Sequence, residues 1–94
     1  MCKVYILYSS KLNGYYVGYT TDLTARVDQH NQSFYSGSFT KRASDWVVYF
    51  EIPCLHKTQA IKIEQHIKRM KSRKYIENLK LYPGIAEKLI LLYQ

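Results

Sequence analysis

Between Lys3 and Ser9 the chain sets Val, Tyr, Ile and Leu in both alternating positions, the pattern of a strand covered on both faces. A central strand is expected there. Ser10 to Gly14 contains Asn-Gly, a turn signal, and β-prone residues resume from Tyr15 to Tyr19, so the two runs predict a hairpin. Thr21 or Asp22 can cap a helix running to about Asn31, because a short oxygen side chain accepts the amide hydrogens of a first turn. From Gln32 to Ser44 the chain is polar, rich in Ser, Gly and Thr, and predicts a long loop of the kind that is often functional in a small domain. Trp46 to Ile52 predicts a third strand, stopped by Pro53, and Lys57 to Met70 a helix. Ser72 to Leu81 predicts a second, separate helix, after which Pro83-Gly84 breaks the chain before a last amphipathic segment, Ile85 to Tyr93. With no internal repeat, linker or low-complexity segment, residues 1–94 read as a single α+β domain of order β-β-α-β-α-α-α.

Placing side chains on these elements brings out an unusual set. In the first helix Leu23, Arg26, Val27 and His30 follow the i, i+3, i+4, i+7 spacing, so two groups able to carry positive charge share the stripe that faces the sheet. In the long helix Ala60, Ile63, Ile67 and Met70 form the apolar stripe and Glu64 lies at its edge, where partial burial of a carboxylate is costly without a partner. On the hairpin Tyr5 and Tyr16 can point to one face, given a suitable register. Two phenols, a guanidinium, an imidazole and one carboxylate are the parts needed to hydrolyse a phosphodiester with a single divalent metal.

Each part has a plainer account when taken alone. Strand tyrosines ordinarily pack their rings and expose their hydroxyls. A helix arginine ordinarily snorkels. A histidine near a helix end stabilises the last carbonyls, and Glu64 can pair with Lys68, four residues on in the favourable orientation. Only their joint occurrence at these spacings points to an enzyme.

Charge adds a partner class. Fourteen Lys and Arg against seven Asp and Glu give a formal net charge of +7, and most of the basic residues follow His56. That one-sided surface suits a polyanion, most often nucleic acid. The run Lys68, Arg69, Lys71, Arg73 and Lys74 can follow a phosphate backbone, and Phe34, Tyr35, Phe39, Lys41 and Arg42 interleave rings with charge in a loop that can stack on bases. The apolar runs fall well short of the roughly twenty residues a bilayer span needs. Cys2 and Cys54 form no C-x-x-C pair and no signal-peptide pattern precedes the first strand-like run, so a reducing, cytoplasmic setting is expected.

At this point the sequence resembles a known family. V-Y-I, an eleven-residue step between tyrosines, Y-V-G-Y-T, D-L-x-x-R-x-x-x-H-N, W-x-V-Y-x-E and A-x-x-x-E-x-x-I-K, in this order from Lys3 to about Leu79, are similar to the GIY-YIG nuclease superfamily, particularly its small standalone bacterial members. The resemblance implies a three-stranded antiparallel sheet with the first strand central and helices on both faces. It implies that Tyr5 acts as general base or contacts the attacking water, that Tyr16 is the second-motif tyrosine, and that Gly18 lets backbone or substrate approach. Arg26 matches the invariant arginine, His30 a position held by histidine or tyrosine, and Glu64 the single glutamate that binds Mg²⁺ or Mn²⁺. Tyr19 stands where some repair-related members carry lysine. Asn78 lies in the region where many members carry a late asparagine and is not assigned to the site. The reading is therefore a metal-dependent endonuclease, structure-selective or weakly sequence-specific, with DNA favoured over RNA, no membrane, and a protein partner as one source of specificity. The alternative is a non-catalytic nucleic-acid-binding module that keeps the fold.

Overall fold

Alternation along the first strand decides the layering. The computed structural model describes residues 2–32 and 42–94, and in it β1 (Lys3–Ser9) lies between β2 (Gly14–Thr20) and β3 (Val47–Pro53), with both pairings antiparallel. Val4, Tyr5, Ile6 and Leu7 are all buried, which requires cover on both faces. Tyr5 and Leu7 pack with Ala43 and Trp46 under Leu23 and Val27 of helix α1 (Leu23–Asn31). Val4 and Ile6 point the other way, into the larger core with Val17 and Ile52. There Ala60, Ile63 and Ile67 of α2 (Lys57–Met70), Leu79 of α3 (Arg73–Leu81) and Leu89 of α4 (Pro83–Leu92) close it. Each fully buried aliphatic side chain contributes about 1.5–3 kcal/mol relative to exposure.

Local chemistry sets the boundaries. Asn13 takes the left-handed conformation, φ 49°, which asparagine tolerates at a hairpin turn. Asp22 caps α1 by accepting from the Ala25 amide at 3.1 Å, and Ser72 caps α3 by accepting from Tyr75. Lys71, φ 47°, ends α2 in the left-handed conformation and separates it from α3.

Three expectations need correction. Met70 does not complete the buried stripe but is exposed, because it sits in the last turn of α2, beyond the reach of the sheet. Pro83-Gly84 does not precede the last helix but begins it, since at a first helical position the missing proline N–H removes no intrahelical bond. The third strand starts at Val47, and Trp46 stands just before it as a buried anchor. Of the aromatic and basic loop candidates, Phe34, Tyr35, Phe39 and Lys41 lie outside the described residues, and Arg42 is exposed.

Polar side chains hold the layers in register. The Asn31 amide takes both backbone groups of Trp46, accepting from its N–H at 2.7 Å and donating to its carbonyl at 3.0 Å, and so locks the end of α1 to the start of β3. Asp45 accepts from the Ser9 and Ser10 hydroxyls at 2.6 and 2.9 Å and from the Lys11 amide at 3.0 Å. These bonds, Ser9 first, hold its carboxyl down at about 2 and tie the β1–β2 turn to the approach to β3. Gln59, fully buried, accepts from the Leu55 amide and donates to the Ile90 carbonyl, which fastens α4 to α2.

Candidate active site

The hairpin register places Leu7 opposite Tyr16 and Tyr5 opposite Gly18, so both phenols share the α1 face. Their ring centroids are 6.4 Å apart. Tyr5 lies across its cross-strand partner: a Cβ on residue 18 would stand 2.5 Å from the Tyr5 hydroxyl oxygen and 2.7 Å from Cζ. What approaches Gly18 is therefore the Tyr5 ring.

Behind this phenol sits His30, itself buried, with Nε2 2.9 Å from the Tyr5 hydroxyl oxygen and its ring 4.8 Å from that of Tyr16. The α1 periodicity delivers it there, one turn beyond Arg26. Burial, helped by the Arg26 guanidinium, pushes the His30 imidazole down from 6.5 to about 4. It is neutral at pH 7, and one ring nitrogen keeps a lone pair. The unfolded chain takes up this proton from pH 6.5 downward and the folded one only near 4, so stability present above 6.5 is lost as the pH falls through that interval. At about 1.4 kcal/mol per pH unit the loss amounts to about 3 kcal/mol. Urea titrations at pH 7, 5.5 and 4 are expected to show it, with a shallower fall in His30→Gln.

β2 is an outer strand, and at its open edge the two layers meet. A pocket of about 210 Å³ there is lined by Tyr5, Tyr16 and Gly18 from the α1 face of the sheet, Tyr19 from the opposite face, Arg26 of α1 and Glu64 of α2. Five of the sequence-derived site residues thus border one space, with His30 one hydrogen bond behind. Tyr19 is the lining residue that the sequence reading left out of the site. Its signals were its place beside Gly18 and its match to a position where some family members carry lysine. Asn78 does not line the pocket.

Glu64 is 14% exposed, and Oε1 lies 3.4 Å from Nζ of Lys68, whose side chain is 49% exposed. The same Nζ stands 5.6 Å from the centre of the Tyr16 ring. Among the described residues no group of three or more His, Cys, Asp or Glu side chains could hold a metal ion, which leaves Glu64 as the pocket's carboxylate. The basic run divides. Lys68, Lys71 and Arg73 border a groove of about 260 Å³ with Ser72 and Tyr15. Arg69 donates instead to the Tyr93 hydroxyl at 3.4 Å, and Lys74 is exposed. The Arg73 guanidinium bonds the Asn13 carbonyl and side chain and lies 5.1 Å from the Tyr15 ring centre, bracing the hairpin turn.

The order of elements and the central first strand agree with one family, and the model of the GIY-YIG catalytic domain matches residues 1–80. The chain belongs to the GIY-YIG family. No curated protein and no solved structure matches it. Membership makes this a nuclease-type domain with nucleic acid as its class of substrate. All six pocket residues and His30 fall within the matched part of the GIY-YIG domain, whereas α4 lies beyond it, held by Gln59 and by the 2.9 Å bond between His66 Nδ1 and the Tyr93 hydroxyl. No helix among the described residues is long and apolar enough to cross a membrane.

Proposed function

We propose that this GIY-YIG domain is a divalent-metal-dependent endonuclease that hydrolyses nucleic-acid phosphodiester bonds, DNA in preference to RNA, with structural or weak sequence selectivity. The observation that carries the reading is the pocket at the β2 edge, where side chains of β1, β2, α1 and α2 bring phenol, guanidinium and carboxylate to one place.

Hydrolysis builds negative charge on the non-bridging oxygens and on the leaving 3′ oxygen, so positive groups fixed there favour the transition state over the ground state. The planar fork of Arg26 suits two phosphate oxygens at once. With His30 in the tautomer that leaves Nε2 bare, Tyr5 would donate its O–H there, 2.9 Å away, and turn an oxygen lone pair toward the pocket to orient the attacking water. As the water oxygen bonds to phosphorus and the bond from phosphorus to O3′ breaks, the water proton passes to Tyr5 and the phenol proton to His30, while the departing O3′ takes a proton from solvent water. The products are a 5′-phosphate and a 3′-hydroxyl. Tyr16 packs against the His30 ring and holds it in line.

The donor set fits the metal: one carboxylate opening on a polar pocket suits Mg²⁺ or Mn²⁺, hard cations that keep most of their waters, and Glu64 would hold it. Bound there, the cation would neutralise charge that develops on the phosphate as the bond breaks. A protein partner would supply further specificity, and the two buried free thiols, Cys2 and Cys54, suit a cytoplasmic setting.

The second reading is a nucleic-acid-binding module without cleavage. It is favoured by one observation, the Lys68 ammonium already paired with Glu64. Incubation with labelled nicked, branched and single-stranded DNA and RNA separates the two. Cleavage is expected with Mg²⁺ or Mn²⁺, none with EDTA, and a loss of about 10²- to 10³-fold in Arg26→Ala. Tight binding without cleavage across all substrates and metals would establish the module instead.

A further inference from the structure

The Glu64–Lys68 pair is lopsided, and its geometry points past a static salt bridge. Glu64 is nearly enclosed, whereas half of the Lys68 side chain is in solvent, so in any exchange the lysine moves and the carboxylate stays. Open to solvent on the lysine side and 3.4 Å long, the contact holds Lys68 only loosely. Lys68 also borders the groove on its other side, together with Lys71, Ser72 and Arg73. Lys71, in the left-handed conformation, and the two residues after it border the same groove as Lys68. A single flexible ammonium therefore stands between a carboxylate in the pocket and a groove that sets the cationic Lys71 beside apolar Val17, Ile67 and Ile76, with the Tyr16 ring 5.6 Å from it.

We infer that Lys68 is an exchangeable counter-charge, which neutralises Glu64 until a strand phosphate in the adjoining groove draws it away and exposes the carboxylate to the divalent cation. This rests on the metal and substrate reading above and adds its regulation: strand and cation bind cooperatively. An ammonium and a divalent ion repel each other at one carboxylate, so each favours a different state of Glu64. The coupling is reciprocal, because the factor by which the strand tightens the metal is the factor by which the metal tightens the strand.

The test measures Mn²⁺ affinity by electron paramagnetic resonance of the aquated ion, with and without a short single-stranded DNA, in a Tyr5→Phe background that keeps the strand intact. Lys68→Met keeps a good helix former at a half-exposed position, and circular dichroism checks its fold. Without DNA, Lys68→Met is expected to bind Mn²⁺ about fivefold tighter or more. DNA is expected to tighten Mn²⁺ by a larger factor in the Lys68 protein than in Lys68→Met. Equal or weaker Mn²⁺ binding by Lys68→Met, or a DNA effect of the same size in both, overturns the inference while leaving the nuclease reading standing. Glu64→Gln distinguishes the two failures: if it binds Mn²⁺ as its parent does, the metal assignment is wrong and the inference about Lys68 falls with it.

Discussion

Glutamine at position 64 is expected to reduce cleavage to background, at least about 10³-fold, while moving the folding stability by no more than about 1 kcal/mol. The two halves of that expectation have one origin. Glu64 lines the pocket and is paired at 3.4 Å with a half-exposed lysine, a contact that contributes little to stability. Removing the charge also removes the cost of partly desolvating it. Gln keeps the shape but offers a cation a neutral oxygen in place of an anionic one. Single-turnover cleavage and thermal melting measured on the same preparation check both halves, and a melting temperature that drops by many degrees would mark Glu64 as a structural carboxylate.

A methyl group at residue 18 is expected to act on the other side of the pocket and to damage both activity and fold. The Cβ of Gly18→Ala would lie 2.5 Å from the Tyr5 hydroxyl oxygen and 2.7 Å from Cζ. Tyr5 is 1% exposed and cannot swing into solvent. The ring must shift, which breaks its 2.9 Å bond to His30. Overpacking of this size costs about 1–3 kcal/mol, and cleavage is expected to fall to the level of Tyr5→Phe. In the double variant the closest clash is gone but Cζ remains, so its stability loss should be smaller than the sum of the single losses, an interaction that a double-mutant cycle measures directly.

Short-range pattern was legible and long-range partnership was not. The inward stripe of α1 could be read because Leu23, Arg26, Val27 and His30 share one helical period, and the Glu64–Lys68 pair because it lies four residues apart on a helix. The central place of the first strand was legible in its doubly apolar pattern, and the family resemblance implied the same three-stranded order. Asn31 and Asp45 carry no local sign of their partners, since Asn31 finds Trp46 fifteen residues on and Asp45 finds Ser9 thirty-six residues back. Arg73 read as a phosphate contact, while its nearest partners, at Asn13, are sixty residues away. Gly18 was recognised as a place of close approach, but which atoms approach depends on a strand register that no local pattern states. Tyr19 escaped because residues on the two faces of a strand belong to different layers everywhere except at a sheet's open edge, where this pocket lies.

The Asp45 clamp gives the molecule an unequal response to acid. Its carboxyl remains ionised to about pH 2 although it lies at the surface, whereas the imidazole in the interior resists its proton only to about pH 4. Acid therefore reaches the interior group first of the two: the residue-30 imidazole takes up its proton while Asp45, out in the water, still carries its charge.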